Sequence, residues 1–421
     1  MRISTLHIYN LANTSMANAN NEIVKTQEQL STGKRVLTAA DDPVAATQIQ
    51  QLTDNLAVID QYTKNIATAK NNLAIEETAL EGVTNLVQRI KELAVQAGNT
   101  ASLSSSEYNA LATEVDSRIN ELVSLANTQN ANGDYIFSGY SSQNPTFSGD
   151  NINGFRYGGD DGHINIKVDD NTFVKASDSG RDIFTDIPHS ENTVVTSANP
   201  NNRSSPAITV SIGEVVDQQA YDDFYPEDMV ITFNEDSNLS PEARNFTVTE
   251  KSTGKIIAEN QAYAAGEALV FNGVSMTISG NPAPADIGQG LNGDQVFVDS
   301  TATQDVLTTL IRFRDAMENF DASQESIDKL SATVANTLTN LSQVQDSVAK
   351  VVTEIGARVN TLESTEEQHL DTELVSNTIL SDIRDLDYAE AASRLSAQTL
   401  ILQAAQASFL RISELNLFSR L

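Results

Sequence analysis

The sequence predicts a mainly α-helical protein with a β-rich insert. Both chain flanks are expected to build a long antiparallel coiled-coil helical rod, with one or two small β domains in the middle. Breakers carry the first argument. Eight of the nine prolines lie between Pro145 and Pro284, and sixteen of the twenty glycines between Gly133 and Gly293. Both residue types interrupt helices, so the flanks read as helical and the middle as turn-rich. Spacing carries the second. Leu52, Ile59, Ile66, Leu73, Leu80, Val87 and Ala94 recur every seven residues, with Tyr62, Ala69, Val83 and Ile90 three further on. Phe313, Phe320, Ile327, Val334, Leu341, Val348, Ile355 and Leu362 keep the same beat in the other flank. A period of 3.5 rather than 3.6 is a coiled-coil seam, so each long helix needs a partner, and the economical partner is the other one. Charge is the third. Residues 1–146 hold 9 basic and 15 acidic side chains, 147–300 hold 8 and 24, and 301–421 hold 9 and 18, which sets an acidic insert between the flanks.

Taken in order, residues 1–42 form an N-terminal assembly helix carrying Met16, Ile23 and Leu30 at heptad spacing. Residues 43–146 are the N-terminal part of the rod. Asp42 before Pro43 supplies a carboxylate N-cap and a proline at the first helical position, and Val44–Ala97 would run roughly 80 Å at about 1.5 Å per residue. Gly98 closes that helix as a left-handed cap. Ser104 with Glu107 makes a capping box, Leu103 and Tyr108 supply its staple, and this helix runs to about Asn132-Gly133. Residues 147–300 are the variable acidic β-rich domain. Strands are expected at Ile164–Val168, Ala207–Val216, Met229–Phe233, Asn245–Glu250, Lys255–Glu259, Ala268–Phe271 and Val274–Ser279, from alternation and β-branching. Residues 301–370 are the C-terminal part of the rod, with Ala302–Glu366 as one helix. Residues 371–421 are the C-terminal assembly helix, with Leu395, Leu402 and Phe409 on one heptad position and Leu417 and Phe418 extending the apolar character. The two terminal stripes are each too short to stand alone. They pair with each other or wait for a partner, and they are expected to order only on assembly, because so small a buried area does not offset about 1–2 kcal/mol of ordering entropy per residue.

The composition excludes several classes of chemistry. The 421 residues carry 26 Lys+Arg against 57 Asp+Glu, a net charge of −31 that repels nucleic acid and anionic membranes. Cys and Trp are absent, which removes disulfides, thiolate metal sites and cysteine nucleophiles. No apolar run reaches the roughly 18 residues of a membrane span, and Met1–Met16 lacks the pattern of a cleaved signal peptide. Gly288-Gln-Gly290-Leu-Asn-Gly293 spells a dinucleotide fingerprint, yet Pro282 and Pro284 precede it and a strand at Asp294–Asp299 follows, so it reads as a turn. Ser-x-x-Lys occurs at Ser31/Lys34, Ser326/Lys329 and Ser347/Lys350 without the companion elements of a nucleophile–base site. The pairs Asp160/Asp161, Asp169/Asp170 and Asp222/Asp223 read as solvated surface rather than glycosidase or calcium carboxylates. No catalytic, cofactor-binding or metal-ligating residue is assigned, and the expectation is a non-enzymatic protein.

The segments Leu30-Ser-Thr-Gly-Lys-Arg-Val36 and Ala40-Asp-Asp-Pro43 resemble the linker between the first two helices of the bacterial flagellin family. Gly133-Asp-Tyr-Ile-Phe-Ser-Gly139 resembles the family's exit into its variable domain, and Asn292-Gly-Asp294 with Phe297 its return. Asp387-Tyr-Ala-Glu-Ala391 and Leu402-Gln-Ala-Ala-Gln-Ala-Ser-Phe409 continue the likeness, which covers roughly 1–145 and 290–421. The tail Leu415-Asn-Leu-Phe-Ser-Arg-Leu421 departs from the usual filament ending and is similar to that of the family's hook–filament junction branch.

This resemblance implies a structural subunit of the bacterial flagellum that connects the hook, through hook-associated protein 1, to the flagellin filament; the alternative is a filament flagellin. It further implies copies of itself in a ring, hook-associated protein 1, flagellin and a cytoplasmic export chaperone at the C-terminal region as partners. Export to the extracellular flagellum would pass through the type III apparatus without a cleaved signal peptide. The insert would face outward.

Overall fold

The structure, a computed structural model, describes residues 5–99, 103–151 and 154–418. Seven α-helices lie along the described chain: α1 Thr5–Thr32, α2 Pro43–Ala97, α3 Ser105–Ala126, the short α4 Gln218–Asp222, α5 Val306–Glu318, α6 Gln324–Arg384 and α7 Tyr388–Phe418. The strands are β1 Phe147–Asp150, β2 Gly154–Tyr157, β3 Asn165–Lys167, β4 Phe173–Lys175, β5 Pro188–Ala198, β6 Thr209–Val210, β7 Glu214–Val215, β8 Met229–Phe233, β9 Asn245–Glu250, β10 Ile256–Ala262, β11 Ala268–Phe271, β12 Val274–Ser279 and β13 Gln295–Thr303. Long helices from both flanks thus enclose a β-rich middle, as the breaker distribution predicts. The chain divides into two compact units, one of Met1–Ile66, Val168–Asp170 and Glu363–Leu421, the other of Ala67–Lys167 and Asn171–Leu362.

In the first unit, Ile59 and Ile66 of α2 are buried and Leu52 is half-buried. Leu380, Ser376 and His369 of α6 are buried as well. The Tyr62 and His369 rings stack at 5.6 Å. Tyr62 donates to Asp170 Oδ1 at 3.0 Å, and the His369 Nε2 meets the Val168 carbonyl at 2.8 Å, so a short loop is held by two ring polar groups.

In the second unit, Leu73, Leu80 and Val87 of α2 and Val334, Leu341, Val348, Ile355 and Leu362 of α6 are all buried, with Ile327 half-buried. Lys91 donates to Ser342 and Gln345, and Gly98 lies against Val334, which sets these stretches of α2 and α6 antiparallel. Asp42 does cap α2, accepting from the Ala45 N–H at 3.0 Å. The Ser104–Glu107 capping box is formed in full. Tyr108, placed by that box, donates to the Ala97 carbonyl and packs its ring 4.4 Å from Phe320.

Three helix expectations need correction. The helix expected over Ala302–Glu366 is two helices, and α6 continues past residue 370 to Arg384. Phe313 and Phe320 continue the heptad spacing but do not lie on α6: Phe313 is in α5, and Phe320 is in the link with its ring on Tyr108. The break is written in capping chemistry. Ala322 takes a left-handed φ of 60°, and Ser323 accepts from the Ser326 N–H to start α6. Next, α3 ends at Ala126, short of Asn132, because the Asn127 amide bonds both the N–H and the C=O of Phe147. Last, Gly98 is not among the residues of positive φ; its N–H simply bonds back to Ala94.

Residues 188–303 form one β domain with one core. A five-stranded antiparallel sheet, β10-β9-β8-β13-β5, faces a second sheet of β11-β12-β6, with β7 on β12. Both inner faces contribute to a single cluster that includes Tyr221, Met229, Ile231, Phe233, Phe246 and Met276. In β8 the buried side chains alternate strictly, as a strand with one inward face requires. Hairpins β1–β2 and β3–β4 are separate two-stranded pieces. The expected strand at Ala207–Val216 is split into β6 and β7 by the Ser211–Gly213 segment. Among the described residues no helix is long and apolar enough to cross a membrane.

Candidate assembly seam and linker clamp

The terminal helices α1 and α7 pack on each other along their heptad stripes. Ile23 is buried, and Met16, Leu30, Leu395, Leu402 and Phe409 are half-buried. Tyr9 meets Phe409 edge to face at 5.3 Å. Polar contacts lock the register between these stripes. Thr26 donates to Gln398 Oε1 at 2.9 Å, and Arg394 donates to Gln29 Oε1 at 3.1 Å. Gln29, itself 7% exposed, passes the link on by donating to the Arg35 carbonyl. Leu417 and Phe418 lie outside the residues whose side chains are described.

One face of α7 is covered in this way, and the helix is apolar on the others too. Leu400, Ile401 and Leu410 are exposed, as are Leu11 and Val24 on α1 and Leu370, Leu374, Val375 and Ile379 on α6. Exposed apolar side chains thus recur along α1, α6 and α7.

Where α1 turns into α2, the chain meets the turn from α6 into α7. Gly33 has φ +68°, and a Cβ there would sit 2.8 Å from the Tyr388 hydroxyl. The left-handed φ is what favours glycine there, since the exposed Tyr388 side chain can swing aside. The Arg35 N–H bonds Arg384 O at 2.7 Å, the Leu386 N–H bonds Gly33 O at 2.9 Å, and the Arg35 guanidinium reaches Ile383 O. Asp41 accepts from Lys25 and from the Thr38 and Leu37 N–H groups; these bonds, Lys25 first, hold its carboxyl down at about 2. Asp387 caps α7 through the Ala389 and Glu390 N–H groups. The two motif segments at residues 30–36 and 387–391, far apart in sequence, are therefore two halves of one joint. Sequence reasoning found both segments and missed the joint; a glycine needing left-handed φ and two Asp-led helix starts were the available signals.

The remaining motif segments hold the β region. Gly139 has φ +65° and lies against Asp160, whose carboxylate accepts from the Tyr140 and Gly162 N–H groups and from Ser141. Those bonds, the Tyr140 N–H foremost, hold the Asp160 carboxyl low. Asp294, 1% exposed, gathers the N–H groups of Arg203, Ser204 and Ala283. Gly293 before it has no room for a side chain, since a Cβ would fall 1.7 Å from Phe233 O.

The acidic pairs lie at the surface as expected, with Asp161, Asp170, Asp222 and Asp223 exposed, and several of them also tie neighbouring segments. Asp160 ties a loop, Asp161 pairs with Arg181, Asp170 receives Tyr62, and Asp222 receives Asn192 and Gln218. Gly288–Gly293 is a turn around the 3-10 segment Ile287–Gln289, leading into β13. Of the Ser-x-x-Lys pairs, Lys329 is engaged by Glu214 and Lys34 lies in the joint with Asp385. Among the described residues no group of three His, Asp or Glu side chains gathers as a metal site.

A helix–linker–helix entry, a β domain inserted between long helices and a helix pair made from the two termini define a class of fold that is similar to that of the bacterial flagellin family. Residues 3–142 match the family model described as the bacterial flagellin N-terminal helical region. Within that class the chain is similar to the flagellar hook-associated protein 3 of Salmonella typhimurium and of Escherichia coli, with 35% identity over 187 residues, 44% of this chain and 58% of theirs. The match thus spans little more than half the length of those curated relatives. Two crystal structures extend the likeness. FlgL of Xanthomonas campestris is 25% identical with a TM-score of 0.50, covering 78% of this chain and 99% of that one. The flagellar hook associated protein-3 of Legionella pneumophila is 26% identical with a TM-score of 0.50, covering 80% and 98%.

Proposed function

We propose that this chain is a structural subunit of the hook–filament junction of the bacterial flagellum, joining hook-associated protein 1 on one side to flagellin on the other, as copies arranged in a ring. The observation that carries this reading is the paired α1 and α7, clamped at their linkers and still presenting an apolar outer surface, in a chain whose relatives include hook-associated protein 3. A subunit made only to fold would cover Leu400, Ile401 and Leu410; a subunit made to polymerise keeps them for its neighbours. The assembly residues in this reading are Met16, Ile23, Leu30, Leu395, Leu402 and Phe409, with Leu417 and Phe418 continuing the stripe. The same surface gives an export chaperone at the C-terminal region something to cover before assembly. The role is non-enzymatic, and the site of action is the extracellular flagellum, reached through the flagellar export apparatus.

Deletion of the gene, followed by electron microscopy of the cells, tests this. The expected result is hooks that bear no filament, with flagellin shed into the medium. Normal hooks carrying filaments would reject the junction role, and purified protein growing long filaments unaided would favour a filament flagellin instead.

A further inference from the structure

In the second unit, the inner register of α2 runs through Ala69, Glu76, Val83 and Ile90, so a carboxylic acid stands where the pattern calls for an apolar residue. Glu76 is 1% exposed. Its Oε1 accepts the Asp178 backbone N–H at 3.2 Å, whereas its Oε2 is sealed from solvent with no bonding partner as an acceptor. Asp178, 3% exposed, lies in the strap of residues 176–180, all of them buried, that leads out of β4. The Asp178 carboxylate takes two bonds from the Arg358 guanidinium on α6 and one from Lys175 at 2.6 Å. Arg358 also holds Glu354, a side chain 45% exposed.

Charge balance decides the state of this cluster. Two cations, Arg358 and Lys175, face Asp178, Glu354 and Glu76. With Glu76 neutral the cluster balances; with Glu76 ionised it carries a surplus anion without water. A protonated Oε2 also ceases to be an orphan, because its O–H can donate to the Asp178 carboxylate, and the two side chains lie within bonding reach. We propose that Glu76 and Asp178 hold one proton between their carboxyls, and that this proton is a latch fastening strap 176–180 to α2 and α6, closed in acid and neutral solution and released in alkali.

The direction of titration agrees. Burial first, and then the Asp178 charge, push the Glu76 carboxyl up to about 8, against the pull of Arg358. Burial alone would raise Asp178 too, but the bonds from Arg358 and Lys175 outweigh it and hold that carboxyl low. The unfolded chain ionises Glu76 near the ordinary 4.5. The stability owed to this proton is therefore complete below that value, declines as pH rises toward about 8, and is gone above it.

The test compares the full chain with Glu76→Gln, whose amide can donate to Asp178 at every pH. Urea unfolding is followed from pH 5 to 9. The two proteins should match near pH 5, and the variant should then gain on wild type by up to about tenfold in unfolding constant per pH unit, levelling beyond pH 8. Parallel profiles across the whole range would overturn the latch. Amide exchange at 176–180 in the unmodified protein gives a second reading that does not depend on the variant folding. Above pH 8 it should accelerate by more than the intrinsic tenfold per unit seen at exposed amides, and exchange that only keeps pace would also overturn it. Lys175→Met, which removes one of the two cations, should move the onset of that acceleration to higher pH; an onset that stays put would count against the shared proton.

Discussion

At the residue scale the chain relies on positions where one side chain, or none, is permitted. Gly293 is the sharpest. Its missing Cβ lets β13 begin against the Phe233 carbonyl while Asp294 collects three N–H groups. Gly293→Ala is expected to cost the β domain about 3 kcal/mol, because the obstacle is backbone and cannot rotate away. Gly133→Ala, at φ +85° in open space, should cost only about 1 kcal/mol of backbone strain. Thermal melting of the two variants separates the effects; equal losses would mean that the close approach at Gly293 relaxes freely. These residues were visible in the sequence as motif letters, but their work was not. Nothing in Asn292-Gly-Asp294 states that the acceptor of three amides must stand beside a carbonyl from a strand some sixty residues earlier.

At the element scale, periodic segments were legible and aperiodic ones were not. The α2 start at Asp42-Pro43, the seam residues from Val334 to Leu362 and four of the strands to the residue follow from spacing and punctuation alone. Strand β5 escaped because Pro188–Ala198 is polar at its start and alternates only briefly, and its identity as a strand comes from pairing with β13 through Thr193–Ala198 and at Pro188. The terminal pair was legible as two stripes, which were expected to order only on assembly. The structure pairs them, though lightly: Ile66, Leu73 and Leu80 are fully buried, whereas Met16, Leu395 and Leu402 are half-exposed. Amide exchange should therefore be faster in α1 and in α7 through Arg411 than in residues 67–97 of α2. Ile23→Asp, which puts a charge into the one fully buried stripe position, should unzip the pair and leave the melting of the β domain unchanged. A drop in β-domain stability would show that the terminal pair is not an independent cooperative element. Phe409→Asp, in the same seam but half-exposed and facing Tyr9, should fold and yet fail to join hook to filament; normal filaments would remove this seam from assembly.

At the scale of the whole molecule, the β domain is joined to its helices by two strands that run side by side. Pro188 of β5 registers with Thr303 of β13, so the domain leaves and returns at nearly one point. Replacing 189–302 by a short turn should leave the helical part of the second unit folded, since α3, α5 and the adjoining seam keep their own buried residues. Circular dichroism should retain the helix signal and cells should still export the shortened chain. Loss of the helix signal would mean that the β core supports the helices energetically.

The break between α5 and α6 has a consequence for how such a chain can change over time. A heptad pattern is a phase, and an uninterrupted helix would transmit every insertion upstream as a rotation of about 100° per residue along all that follows. Here the left-handed Ala322 and the fresh cap at Ser323 reset that phase. Whatever is gained or lost before residue 319 reaches α6 as a change in loop path and not as a turn of its seam. An added residue at 321–322 should be absorbed, whereas the same addition between Leu341 and Val348 should turn the buried stripe out of register. The middle of the sequence is in this way free to drift in length and character while the helical seam stays in step.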